Sequence, residues 1–163
     1  QYTHSLAERL NENSQLEVVE ACDGMTLEPG WAFLAPGGRQ MKVVRRATRI
    51  RVTITDDPPE NSCRPAVDYL FRSAAEVFGG RVLAVVMTGM GRDGLEGCRL
   101  LKARGAQVLA QHPDGCVVYG MPKAVIEDEL ADRVVPLTEI AAAIQQQIGP
   151  RPTGTASPRR TET

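Results

Sequence analysis

The spacing of apolar residues divides the chain into a leading part of short strands and a trailing part in which strands and helices alternate. The run 82–87 is continuously apolar, rich in β-branched residues and too short for a free-standing helix. It predicts a strand buried on both faces, as parallel strands are when helices cover them. Glycines follow at 89, 91 and 94, and after Asp93 the period becomes helical, with Leu95, Cys98, Leu100 and Leu101 as inward positions. Asp93 is placed to cap that helix, and Glu96 three residues on completes a capping-box pattern. The segment reads as strand, glycine loop, helix. In open parallel sheets, ligands and chemistry collect at that carboxyl edge.

Upstream, residues 3–11 read as a helix with Leu6 and Leu10 on one face and a capping box from Ser5 to Glu8. Residues 16–20 form a short strand, and the runs 31–35, 40–45 and 49–55 are three more. In the last of these, Ile50, Val52 and Ile54 alternate with polar neighbours, so one face is wet; the three runs are expected to form an antiparallel meander. Residues 56–63 hold Pro58-Pro59 and no periodicity, a loop. A helix starts at Arg64-Pro65, buries Val67, Leu70, Phe71, Ala74, Ala75 and Phe78, and stops at Gly79-Gly80. Beyond residue 105 the order is strand (107–111), helix (121–130), strand (133–137) and helix (138–148). That alternation predicts a three-layer, doubly wound α/β fold with a mainly parallel sheet. Such sheets usually open with a strand, whereas this sequence opens at Gln1 on a helix; the expectation is a fragment whose sheet lacks its first strand or strands. Residues 1–149 are assigned to one domain, and 150–163, without apolar partners, to a disordered tail.

Charge and cysteines narrow the function. Nineteen Lys and Arg against twenty Asp and Glu leave a net charge of −1, which argues against a nucleic-acid surface or a polybasic membrane anchor. No apolar run approaches the ~20 residues that span a bilayer. The four cysteines, at 22, 63, 98 and 116, show no C-x-x-C pairing. They read as reduced core thiols of a cytoplasmic protein, with no metal site.

Two chemistries compete at the glycine loop. Gly89-Met90-Gly91-Arg92-Asp93-Gly94 satisfies G-x-G-x-x-G after a strand, with Asp114 near the position of a ribose-binding acid. Dinucleotide binding is therefore one reading, although Asp93 would set a carboxylate beside the pyrophosphate, and the fingerprint normally opens its fold. The other use of Asp93 is to hold a catalytic imidazole in one tautomer and stabilise its charged form. A plain helix cap is the third and simplest use.

The motifs together resemble a family. A-P-G-G-R-Q-M (35–41), R-P-A-V-D-Y-L-F (64–71), T-G-M-G-R-D-G (88–94) and C-V-V-Y-G-M-P (116–122), with S-L-A-E-R-L-N (5–11), look like the catalytic domain of the chemotaxis protein-glutamate methylesterases, CheB. The resemblance implies hydrolysis of glutamyl methyl esters on chemoreceptors, with glutamine deamidation in some members. It implies a Ser-His-Asp triad, no metal, no cofactor, and an upstream receiver domain as regulatory partner. By motif match Asp93 takes the place of the triad aspartate. Thr88, Gly89, Met90 and Gly91 take the place of the oxyanion and substrate loop, with the Met90 backbone amide as donor. Arg64, with Asp68 and Arg72, would line a groove for the receptor helix, although a solvated helix face explains the spacing equally well. The family's serine and histidine match positions upstream of Gln1. His4 sits in a helix start, His112 has only Asp114 beside it, and Ser5, Ser14, Ser62, Ser73 and Ser157 lie in no matching turn. The chain alone is thus expected to be inactive, and a catalytically dead receptor-binding module stands as an alternative.

Overall fold

The structure, a computed structural model, describes residues 2–149. The chain runs through α1 (Tyr2–Glu12), β1 (Glu17–Glu20), β2 (Trp31–Leu34), β3 (Gln40–Arg46), β4 (Arg49–Thr55) and α2 (Val67–Phe78). It continues through β5 (Leu83–Val86), α3 (Leu95–Ala103), β6 (Gln107–Gln111), α4 (Met121–Glu127), β7 (Arg133–Val135) and α5 (Ile140–Ile148). A 3-10 turn at Leu137–Glu139 leads into α5. The expected tail at 150–163 lies outside the described residues.

Strands β5, β6 and β7 form a parallel sheet in that order. Period-two alternation sorts its side chains to two sides. Ala84, Val86 and Val108 pack with Leu95 and Leu101 of α3 and Val125 of α4 on one face. Leu109 and Val135 pack with Ile140 and Ala143 of α5 on the other. Helices therefore cover both faces, and the three layers expected from the sequence are present. β6 is the most deeply buried strand, with Val108 and Leu109 fully enclosed. β5 is less sealed than its composition suggests: it stands at one margin of this sheet, with Ala84 and Val86 buried but Leu83 and Val85 only half-buried.

The expected three-stranded meander is a two-stranded hairpin. β3 and β4 pair antiparallel from Gln40↔Thr55 to Arg46↔Arg49. β2 pairs instead with β1, in parallel, from Glu17↔Trp31 to Glu20↔Leu34. The physical reason is visible in the runs themselves. Residues 31–34 are continuously apolar, the signature of parallel pairing, whereas 49–55 alternate. Ala21, Met41 and Val52 form the small core between these strands and Leu70 of α2. Among the described residues no helix is long and apolar enough to cross a membrane.

The contact that most constrains the candidate site is the crossing of α2 and α3. A Cβ at Gly97 would stand 2.4 Å from the Phe71 Cβ and 3.2 Å from Asp68 Oδ1. Two helix backbones approach this closely only where one side lacks a side chain. Gly97→Ala must push the helices apart and is expected to cost about 1–3 kcal/mol, as overpacking does. The check is a lowered urea midpoint at an unchanged slope.

Candidate active site

The two helices that meet at Gly97 cap each other. Asp93, directly before α3, was expected to cap that helix, but the N-cap of α3 is Gly94 in a left-handed conformation, φ 94°, with no side-chain cap bond. Glu96 completes no capping box; it pairs with Arg99. The Asp93 carboxylate turns to α2, whose first two amides it accepts: Val67 N–H to Oδ2 at 2.6 Å and Asp68 N–H to Oδ1 at 3.0 Å. Asp68, in the first turn of α2, returns the contact by accepting the Gly97 N–H of α3 at 2.7 Å. Each acid neutralises the positive end of the other's helix, an arrangement worth about 0.5–2 kcal/mol per cap. The switch has a simple cause: Gly94 in the left-handed region reverses the chain, so the side chain before it faces α2.

Asp93 and Asp68 are 3% and 4% exposed, and buried carboxylates need donors on every side. Asn61 supplies two, its Nδ2 donating to Asp68 Oδ2 at 2.8 Å and to Asp93 Oδ1 at 3.2 Å. Residues 60–63 are not structureless. Glu60 and Cys63 exchange backbone bonds of 3.1 and 2.7 Å around Asn61 and Ser62, both with positive φ (51° and 61°). That is a two-residue turn of type I′. The turn is fastened by Gln40, fully buried in β3, whose Nε2 donates to Pro58 O at 3.0 Å while its Oε1 accepts the Ala66 N–H at 2.9 Å. Arg72 of α2 also pairs with Glu60.

With these bonds made, Asp93 Oδ2 accepts only the Val67 N–H among the described residues. A carboxylate oxygen accepts more than one bond. Oδ2 thus keeps acceptor capacity, the property by which an aspartate orients a catalytic base.

The glycine loop lies along the same edge. Thr88 N–H donates to the Oε1 of Gln111, a fully buried side chain at the end of β6, at 2.9 Å. Gln111 Nε2 in turn donates to Gly115 O at 3.2 Å. Thr88 Oγ1 donates to Val118 O and accepts the Val118 N–H, at 3.1 and 2.9 Å. Gly89 N–H also reaches Val118 O, at 3.0 Å, and Gly89 O accepts Gly120 and Met121 N–H at 3.1 and 2.9 Å. The loop is thus pinned on one side. Among the described residues no acceptor meets the Met90 or Gly91 N–H, and the Met90 side chain is 83% exposed. Unpaired backbone N–H groups, in the loop that ends on the anchored Asp93, are the kind of donor that acyl-transfer sites use for developing oxyanion charge.

The remaining sequence candidates lie elsewhere. Arg64 is exposed, and its one side-chain bond among the described residues, to Asp56 O at 3.5 Å, is at the limit of hydrogen bonding. His4 faces Glu8 and Glu20 at 3.5 and 3.6 Å, and His112 faces Asp114 at 3.7 Å; neither pairs with Asp93. Ser73 is buried and bonded to Leu70 O and Val43 N–H, a packing role. The Ser5–Glu8 capping box does not form either, since α1 already starts at Tyr2. Burial, with the Asp68 carboxylate adding to it, pushes the Cys98 thiol up to about 12, so it is an inert core group. The dinucleotide reading loses its seat, because Asp68 already holds the Gly97 amide and the Asp114 side chain is 95% exposed. A cavity of about 610 Å³, lined by Trp31, Phe33, Phe78, Glu28 and Arg49, opens at the opposite end of α2, and no histidine, serine or cysteine is among its lining residues.

Sequence reasoning passed over Asn61, Gln40 and Gln111 as site-building residues, and set Asp68 in a receptor groove rather than at the helix crossing where it accepts the Gly97 N–H. The I′ turn had a weak signal in Asn61, but serine follows it where glycine is usual. The buried amides had none.

Comparison with known proteins adds to this geometry. The family model described as CheB methylesterase matches residues 1–144. A protein-glutamate methylesterase/protein-glutamine glutaminase of Desulfotalea psychrophila is 52% identical over 145 residues, covering 88% of this chain and 40% of that relative. A relative of the same description from Trichodesmium erythraeum is 45% identical over 148 residues, covering 91% and 42%. The crystal structure of the Thermotoga maritima CheB methylesterase catalytic domain superposes with a TM-score of 0.87 at 38% identity, covering 90% of this chain and 77% of that one. The chain therefore spans about 40% of the length of the curated relatives it matches.

Proposed function

The chain belongs to the CheB methylesterase family, and from that premise we propose that it forms the aspartate and oxyanion side of a protein-glutamate methylesterase. The substrate class is a glutamyl methyl ester on a chemoreceptor, hydrolysed to glutamate and methanol, with the corresponding glutamine amide as a second substrate. The observation that carries this reading is the held carboxylate: Asp93 is buried, bonded by three donors with acceptor capacity left on Oδ2, and stands at the end of the loop that carries the unpaired Met90 and Gly91 amides.

In the proposed reaction a histidine donates one ring N–H to Asp93 Oδ2 and takes the proton of a serine hydroxyl with its other nitrogen. The serine oxygen attacks the ester carbonyl, and the Met90 N–H, with the glycines leaving the approach unobstructed, stabilises the oxyanion. Collapse expels methanol, which leaves with the proton from the imidazole, and water then releases glutamate by the same steps. The serine and histidine are supplied from outside residues 1–163, since neither histidine of the chain pairs with Asp93. No step needs a metal or cofactor. The exposed Arg64, close in sequence to the amides that Asp93 accepts, is a candidate contact for the receptor helix. A receiver domain joined to this one would govern access, and the protein would act in the cytoplasm.

The test is methanol release from methylated receptor fragments. The full-length gene product should release methanol, whereas residues 1–163 alone should release none while still adopting the fold. Binding of the fragments without methanol release by the full-length product would replace this reading with that of a receptor-binding module. Release by residues 1–163 alone would show that one of the chain's own histidines reaches Asp93.

A further inference from the structure

We infer that Asn61 is a positioning residue for Asp93, fixing the rotation of its carboxylate so that Oδ2 faces the catalytic base; the inference rests on the methylesterase reading above. Asn61 contributes nothing to the hydrophobic core: it lies on the exposed tip of the turn at residues 60–63. Only its amide reaches inward, where both Nδ2 hydrogens end on buried carboxylates from two different elements. The orientation of the amide is fixed by its partners, because carboxyl oxygens that accept hydrogen bonds must face the nitrogen rather than the amide oxygen.

The consequence for Asp93 follows from which oxygen each donor takes. Val67 N–H occupies Oδ2 alone, while Asp68 N–H and Asn61 Nδ2 both occupy Oδ1. With the two α2 amides, the Asn61 Nδ2 restrains the carboxyl plane at a third point, from the side of the turn. Without Asn61, the two α2 amides still hold one oxygen each, but the plane can rock about its last torsion. The lone pair left for an imidazole would then no longer have one direction.

The turn holds Asn61 in the geometry that this role requires. Asparagine tolerates the left-handed backbone at φ 51° better than other side-chain-bearing residues. The next residue, Ser62 at φ 61°, stands where glycine would be free of strain, and the turn persists because Gln40 and Arg72 grip its base. Strain of this kind survives where the surroundings over-determine the backbone. The rigid turn then delivers the Asn61 amide between the two acids.

The experiment replaces Asn61 in the full-length gene product. Asn61→Gly keeps the left-handed backbone and deletes only the amide. It is expected to lower kcat about 10–100-fold, the scale of losing a partner that orients a reacting group, with KM for the methylated fragment unchanged. In an Asp93→Asn background the same change should have no further effect on kcat, since there is no carboxylate left to orient. Asn61→Asp, which keeps the shape but turns both donors into acceptors, should lose more than Asn61→Gly. Overturning results are an unchanged kcat in Asn61→Gly, a parallel change in kcat and KM, or losses that add in the Asp93→Asn background. Absence of methanol release from the wild type overturns the esterase reading and this role with it; wild-type release with an indifferent Asn61→Gly overturns this role alone.

Discussion

Asp93→Asn in the full-length gene product is expected to lower kcat for methanol release by about 10⁴, the loss known for the same change in another triad. The geometry explains why so small a change should cost so much. In the native site both carboxylate oxygens accept: Oδ1 from Asp68 N–H and Asn61 Nδ2, and Oδ2 from Val67 N–H. An asparagine has one acceptor and one donor in the same space. Whichever way its amide turns, an NH₂ group faces at least one backbone N–H of α2. If the oxygen keeps the Asp68 and Asn61 bonds, the NH₂ replaces Oδ2 and can only oppose an imidazole N–H, leaving the base in the wrong tautomer. The same substitution weakens the cap on α2 and leaves a buried donor unmatched, at about 1–3 kcal/mol. The two effects separate by measurement: the stability loss appears in the urea midpoint, and the turnover loss persists at temperatures where the variant is fully folded. An Asn variant that turns over normally would reduce Asp93 to a cap for α2.

That outcome also marks where the sequence could and could not be read. The existence and order of β5, α3, β6, α4, β7 and α5 follow from apolar period and punctuation, because each element's period is a local property of its own residues. The parallel pairing of β2 is also local information, present in the unbroken run at 31–34, but the alternation of 49–55 is not shared by that run and does not extend the meander to it. The direction of the Asp93 side chain is different in kind. A capping pattern counts residues forward from an acid, and by that count Asp93 and Glu96 fit α3 well. Only the left-handed Gly94 and the approach of α2 at Gly97 turn the carboxylate to the other helix, and both are properties of packed backbones. The buried amides of Gln40 and Gln111 were invisible for the same reason. A glutamine at a strand end is ordinary surface chemistry until a second loop closes over it. The family motifs marked the glycine loop and Asp93, but not the turn at residues 60–63 that holds the aspartate.

The second large effect is expected at a glycine outside the loop it shapes. Gly120 precedes α4 with φ −109°, a value open to any residue, so its requirement is space rather than backbone freedom. A Cβ there would stand 2.8 Å from Gly89 O, 2.9 Å from Gly91 N and 3.0 Å from Gly91 O. All three contacts are backbone atoms of the loop that carries the unpaired Met90 and Gly91 amides, and backbone cannot step aside as a side-chain tip can. Gly120→Ala must therefore displace the loop, stretching the bonds from Gly120 and Met121 N–H to Gly89 O. A shift on the order of 1 Å in groups aimed at developing charge is worth about 10² in rate. The expected result is a loss of kcat of that size with a stability cost of only about 1–3 kcal/mol. Gly24→Ala supplies the control: at φ 82° with nothing within 4 Å of the added Cβ, it should cost about 1–2 kcal/mol through left-handed strain and leave methanol release unchanged. If the two variants lose turnover alike, reduced stability explains both and the loop geometry has no part in it. If only Gly120→Ala does, the position of the Met90 amide sets the rate.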